Sequence, residues 1–139
     1  MIKVRGDEGD FNDIDTSGIT RMELLFIYNK TFNGDITGWN VSKVTNMSYM
    51  FFSAISFNQP ICGWDVSSVE NMSLMFYGAT SFNQPIGNWD VSNVTKMNSM
   101  FEGATSFNQD LSKWDLSEKK KSRIFYGCPI KKTYKPKMK

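Results

Sequence analysis

A period of 25 residues runs through most of this 139-residue chain, and it constrains the fold more than any other feature. The string "SFNQPICGWDVSSVENM" at 56–72 returns almost letter for letter as "SFNQPIGNWDVSNVTKM" at 81–97. Self-similarity at such a period is the signature of a repeat architecture. Tryptophan marks the period at Trp39, Trp64, Trp89 and Trp114.

The period divides the chain into a cap, a repeat region and a tail. We predict an N-terminal cap at 1–13, stacked repeats at 14–118 and a basic C-terminal cap or tail at 119–139. A unit of this length buries too few apolar side chains to offset the ordering of its own backbone, so the units must stack on one another. The predicted units are 14–38, 39–63, 64–88, 89–113 and the start of 114–138.

Within a unit the spacing of apolar residues changes. In "VSNVTKMNSMF" at 91–101 the apolar positions recur mostly every three residues, which is typical of a short α or 3₁₀ segment. Ser67 and Glu70 fit a capping box at its start. The later "TSFNQPIGNW" stretch contains Pro85, which excludes a helix interior. We therefore predict an α/β repeat fold of about five 25-residue coils, each with a short helical or 3₁₀ leg and a short strand paired in parallel with the next coil.

The stretch "FNQPIGNWDVSNVTKMNSMFEGATSFNQDLSKWD" resembles the 25–26-residue repeat of bacterial surface proteins and mycoplasma lipoproteins, which is akin to BspA-type leucine-rich repeats and also occurs in large DNA viruses. The resemblance covers about residues 30–116. It implies a leucine-rich-repeat-like solenoid whose usual assignment is adhesion or partner binding. It also implies that the repeated asparagines hydrogen-bond the backbone of the next coil, and these are Asn33, Asn58, Asn83 and Asn108.

Two further polar columns leave alternatives open. The glutamines after these asparagines are either structural or exposed and available to a partner. Asp65, Asp90 and Asp115 stand at each predicted helix start, where a carboxylate caps backbone amides. Carboxylates about 5 Å apart also resemble a calcium site or a glycosidase pair. A catalytic pair would be unique rather than repeated in every unit, so capping is the favoured interpretation.

Enzyme signatures are missing from the sequence. The chain has no histidine, no phosphate-binding GxxxxGK[ST] loop and no GxGxxG string. We therefore expect a non-enzymatic protein without catalytic residues, cofactor or metal.

Charge is distributed unevenly along the chain. Residues 1–112 hold 6 Lys/Arg and 12 Asp/Glu, whereas residues 113–139 hold 10 Lys/Arg and 2 Asp/Glu. The basic end is either a solvated cap that keeps the stack from polymerising, or a site for a phosphate backbone, an anionic membrane or nuclear import. The candidate phosphate-binding residues are Lys119, Lys120, Lys121, Arg123, Lys131, Lys132, Lys135 and Lys137.

Partner preference in a repeat array resides in the positions that vary between units. Tyr49, Phe52, Leu74 and Tyr77 occupy such slots and are the candidate partner-binding residues. We predict a repeat scaffold that mediates macromolecular interaction, with a protein as the partner. The alternative is a nucleic-acid-associated protein that uses its basic tail. With no signal peptide or transmembrane segment in the sequence, an intracellular or virus-associated location is favoured, and a surface location follows only from the resemblance.

Overall fold

The computed structural model describes residues 5–139 and places the repeats in a continuous stack. Equivalent residues of successive units are joined by backbone hydrogen bonds: the N–H of Met22 donates to the carbonyl of Asn46, and the N–H of Met47 donates to the carbonyl of Asn71, both at 2.9 Å. The isolated parallel bridges Arg21–Asn46, Asn46–Asn71, Asn71–Lys96 and Lys96–Lys120 follow the same line. Units 1 to 5 below are the five predicted ranges.

One side of each unit, which we call the turn leg, makes most of these bonds. The turn legs are 20–28, 45–53, 70–78, 95–103 and 120–127.

In a turn leg, every second N–H donates to the next unit. In unit 2 the N–H groups of Tyr49, Phe51 and Ser53 donate to carbonyls of unit 3 at 3.1, 2.9 and 2.7 Å. The intervening N–H groups turn back along their own leg, as when Met50 donates to the carbonyl of Met47 at 3.2 Å. A turn leg is therefore a chain of tight turns whose alternate peptides point along the stack.

The predicted helical leg is wrong. Within residues 39–113 there is no helix, and the three-residue apolar spacing comes from successive turns, such as Val94 N–H to Val91 C=O at 3.0 Å and Met100 N–H to Met97 C=O at 3.3 Å. Positive φ angles interrupt any helix inside each leg, at 55° for Ser99 for example. Because a turn and a 3₁₀ segment both bury every third residue, the apolar pattern could not separate them.

The predicted parallel strands are wrong as well. The fold is not an α/β stack of helix–strand coils, because residues 39–113 contain isolated bridges and no extended strand or sheet. The leg with the repeated asparagines, which we call the asparagine leg (57–63 in unit 2), was expected to pair through its backbone. Instead its units are joined by asparagine and glutamine side chains. Pro60 and Pro85 lack the N–H that a strand ladder requires there.

The core is a set of columns along the stack axis. The rings of Phe57 and Phe82 lie 6.1 Å apart and those of Phe82 and Phe107 lie 5.9 Å apart, all nearly parallel. A second column interleaves with the first, with Phe76 at 4.0 Å from Phe82. The buried indole of Trp89 donates to the carbonyl of Ile61 at 3.2 Å. Columns of valine, methionine and alanine complete a core that runs from end to end.

The two ends differ from the middle. Residues 7–11 pair with the asparagine leg of unit 1. Residues 131–134 pair with that of unit 4 and include a 3₁₀ turn at Lys132–Tyr134, and Lys137 pairs with Trp114 and Leu116 of unit 5. In unit 5 the register slips by one residue, because Phe101 N–H donates to the carbonyl of Ile124 and the Phe101 ring stacks on Phe125 at 5.8 Å. Among residues 5–139, no helix has the length and apolarity needed to cross a bilayer.

Candidate functional site

One variable slot of the turn leg has an unusual backbone. Residues that share one slot all have φ between 55° and 65°, the left-handed region that bulky side chains rarely adopt. Conformations of this kind cost free energy and persist only where the surrounding structure imposes them. In this chain the ladder bonds between units impose them, on both sides of the slot in units 2 to 4 and on one side in units 1 and 5. The residues in this slot are Leu24, Tyr49, Leu74, Ser99 and Arg123.

A second variable slot lies three residues further along each leg, and the two slots form one strip on the stack surface. We call this strip the slot surface. Its residues in units 2 to 5 are Tyr49, Phe52, Leu74, Tyr77, Ser99, Glu102, Arg123 and Tyr126.

In units 2 and 3 the slot surface is aromatic and apolar. The Phe52 ring stacks on Tyr77 at 4.6 Å with 4° between the planes, and Tyr49 lies 5.5 Å from Phe52. Leu74 follows Tyr49 in the same slot. The structure therefore brings the four candidate partner-binding residues together on one partly exposed surface. Whether they bind a partner stays a prediction.

In units 4 and 5 the slot surface is charged. The Arg123 guanidinium donates to the Glu102 carboxylate from Nε at 3.1 Å and from Nη2 at 2.5 Å, and it lies 4.0 Å from the centroid of the Tyr126 ring. The hydrogen bond from Arg123, with a further one from Ser99, lowers the pKa of Glu102. The largely buried Glu102 carboxylate therefore holds the exposed Arg123 guanidinium in one orientation at this end of the slot surface.

The asparagine column is structural, as the family resemblance implied. Asn58 Oδ1 accepts from the Asn83 N–H at 2.9 Å, and Asn83 Oδ1 accepts from the Asn108 N–H at 3.0 Å. The glutamines are structural too, because Gln84 Nε2 donates back to the Asn58 carbonyl at 3.0 Å. Both columns satisfy backbone groups that the asparagine leg leaves without ladder partners.

The aspartate column closes turns and caps no helix. Asp90 Oδ1 accepts from the Ser92 hydroxyl at 2.6 Å and from its N–H at 3.0 Å. These bonds lower the pKa of Asp90, and the equivalent bonds from Ser117 lower the pKa of Asp115 to about 2. Ser67 is held by Asp65 in the same way, so the predicted capping box with Glu70 does not form. Among residues 5–139, no group of three or more acidic or cysteine side chains is placed to hold a metal ion.

Many cations of the basic tail contact the stack itself. Lys119 occupies the slot that holds Val94 in unit 4, so burial lowers its pKa, and its Nζ donates to the Val94 carbonyl at 2.6 Å. Lys121 Nζ donates to the carbonyls of Ser117 and Lys119 at 3.3 and 3.2 Å.

The remaining tail cations follow the same trend, since Lys137 pairs with Asp115 at 3.4 Å, and Lys131 and Lys135 lie against the rings of Tyr134 and Phe125. The tail is therefore packed against the stack and is part of the fold. Phosphate binding by Lys120, Lys132 and the other tail residues stays a prediction.

Sequence reasoning missed two parts of the surface. It placed Tyr126 in line with Phe101, because the one-residue slip in unit 5 hid the equivalence of Arg123 with Ser99. It also overlooked that Leu24 and Leu25 are exposed and form an apolar group with Tyr28 at the first unit.

One comparison with known proteins identifies a family. A family described as Mycoplasma protein of unknown function, DUF285, matches residues 3–114 and again residues 63–132. No curated protein and no solved structure matches the chain. The two overlapping matches span the repeats and most of unit 5, which agrees with the expected mycoplasma repeat family. The chain therefore belongs to the DUF285 family of Mycoplasma proteins of unknown function.

Proposed function

We propose that this protein is a non-enzymatic repeat scaffold that binds another protein through the slot surface. The observation that carries the proposal is the left-handed slot column. Five positions in a row keep a strained backbone, and their side chains vary while the columns around them do not. Core columns that repeat from unit to unit build the stack, and the positions that differ between units are left to recognise a partner.

The chemistry of the slot surface suits a protein partner. Stacked aromatic rings at Phe52 and Tyr77 offer rigid, amphipathic contact area, which is what protein interfaces favour. Arg123 supplies a cation at the other end, held in place by Glu102. Aromatic side chains and arginine are the residue types that dominate binding energy in measured interfaces.

A surface role also fits the likeness of the repeats to BspA-type surface repeats, whose usual assignment is adhesion. That likeness supports binding as the class of function and leaves the partner's identity to experiment.

The test is a binding selection with matched variants of the full chain. Peptides displayed on phage are selected on the wild-type protein, and the binders are then measured against Tyr77→Ala and Phe52→Ala. We expect both variants to weaken binding by about tenfold or more each, the range typical of interface anchors. Ile55→Ala is the control, because it removes an exposed apolar side chain of unit 2 outside the slot surface. Equal loss in all three variants, or no loss in any, would refute the slot surface as the site.

A further inference from the structure

The ladder bonds give the stack two chemically different ends. From its second carbonyl onward, each turn leg orients its bonding peptides in the same way, with the carbonyl facing the preceding unit and the N–H facing the following one. Only the start of a leg bonds in the opposite sense, as when the Thr45 N–H donates to the Thr20 carbonyl at 2.8 Å. Unit 1 therefore presents a row of carbonyls, and unit 5 presents a row of N–H groups. We call these rows the carbonyl edge and the amide edge.

The two rows have no backbone partners within residues 5–139. The equivalent groups in the middle of the stack are all bonded, as when the carbonyl of Asn46 accepts from Met22 and the N–H of Ser99 donates to Ser122. The carbonyl edge consists of the C=O groups of Arg21, Glu23, Leu25 and Ile27. The amide edge consists of the N–H groups of Lys121, Arg123, Phe125 and Gly127.

Exposed apolar side chains are concentrated beside the carbonyl edge. Leu24 and Leu25 are 50% and 49% exposed, Ile19 is 42% exposed and Tyr28 is 63% exposed. Tyr126, 62% exposed, lies beside the amide edge. Among residues 5–139, five of the seven exposed large apolar side chains therefore lie at the two ends of the stack. The other two, Tyr49 and Ile55, lie in unit 2. An open edge next to apolar side chains is the kind of surface that pairs with another chain.

Charge makes the two ends complementary. Residues 5–38, at the carbonyl edge, carry seven acidic and three basic side chains, whereas residues 113–139 carry ten basic and two acidic ones. Opposite charge favours contact between unlike ends and disfavours contact between like ends. Hydrogen-bond chemistry has the same preference, because carbonyls pair with N–H groups and not with other carbonyls.

We propose that copies of this chain associate end to end, with the amide edge of one copy on the carbonyl edge of the next. The hydrogen bonds at the contact repeat those that already join the units. Residues 7–11 project one level beyond unit 1 on the asparagine side, where Asp35 N–H donates to the Gly9 carbonyl at 2.8 Å. Because residues 7–11 cover the asparagine side of unit 1, a second copy cannot align its stack axis with that of the first. The two copies pair through their turn legs, with the two stack axes displaced from each other. Such a contact between unlike surfaces generates open chains of copies unless the rotation closes a ring.

The test measures mass in solution by sedimentation velocity over about a hundredfold range of protein concentration, at low and at physiological salt. We expect the mean mass to rise with concentration and to fall with added salt. Leu24→Asn combined with Leu25→Lys should block the carbonyl edge, and asparagine tolerates the left-handed backbone at position 24. The control is Leu74→Asn, the same substitution in the same slot in the middle of the stack.

A mixing experiment separates this contact from any other kind of dimer. Lys121→Pro removes one N–H of the amide edge, and Tyr126→Asp blocks the same edge without a backbone change. A carbonyl-edge variant and an amide-edge variant should each be monomeric alone and form a dimer when mixed, since each keeps one working end.

A protein that stays monomeric at every concentration would overturn the proposal. The proposal would also be wrong if Leu74→Asn weakened association as strongly as the carbonyl-edge variant does. A third refuting result is a mixture that forms no dimer although both variants retain the melting temperature of the parent.

Discussion

Removal of one central phenylalanine ring tests whether the stacked columns are the main source of stability. Phe82 is fully buried, and its ring lies between Phe57 and Phe107 in its own column and 4.0 Å from Phe76 in the next one. Phe82→Ala removes about 2–3 kcal/mol of transfer free energy. Loss of aromatic pairing adds about 0.5–1.5 kcal/mol, and a cavity remains because neighbours on both sides hold the column apart. We expect the free energy of unfolding to fall by about 3–5 kcal/mol.

Urea denaturation followed by tryptophan fluorescence measures this loss. Two matched substitutions set the scale. Phe82→Leu keeps most of the volume and should cost about 1.5 kcal/mol or less. Phe125→Ala removes the last ring of the parallel column, which is partly exposed and stacks on Phe101 alone, so it should cost less than Phe82→Ala. If Phe82→Ala costs no more than Phe125→Ala, the columns do not act as a continuous core and the reasoning fails.

Two other predictions concern the turn legs and the aspartate column. Ser53 has a φ angle of 56° at the position that Gly78 occupies in unit 3. Ser53→Gly should therefore raise the melting temperature, whereas Gly78→Ala should lower the free energy of unfolding by about 1 kcal/mol. Thermal melts of both variants measure these changes. Hydrogen bonds from Ser117 lower the pKa of Asp115 to about 2, and those from Ser92 lower the pKa of Asp90. The bonded carboxylates therefore stabilise the fold fully above the ordinary pKa of 3.8, and this stabilisation is lost as the pH falls towards 2. Melting temperatures should therefore drop between about pH 4 and pH 2, and Asp115→Asn should make that drop smaller; a flat profile for the parent would contradict the assignment.

The sequence was sufficient for the parts of the fold that repeat. A column such as Phe57, Phe82 and Phe107 can be read from the period alone, because a residue that recurs at a fixed interval in stacked units meets its own equivalents. The asparagine column can be read from the same period. Its hydrogen-bonding role was implied by the family resemblance, and it suits a side chain that has both donor and acceptor groups. The charge asymmetry that makes the two ends complementary is also visible in the sequence.

Other features depended on tertiary contacts. The three-residue spacing from Val91 to Met100 is the same for a 3₁₀ segment and for chained turns. In the turn leg at 95–103, the bonds between units select the turns by drawing every second N–H towards the neighbouring unit. Those bonds also hold Tyr49 and its equivalents in the left-handed region, which no local preference favours. The one-residue slip in unit 5 likewise appears only when Phe125 is seen to stack on Phe101.

The candidate surfaces divide in the same way. The variation of Tyr49, Phe52, Leu74 and Tyr77 between units is evident from the aligned repeats, because it needs no coordinates to detect. That these side chains form one strip, and that the stack ends in a carbonyl row and an amide row, follows from the folded structure alone. Peptide orientation is set by the hydrogen bonds between units, and the order of side chains along the chain does not specify in which direction a peptide points.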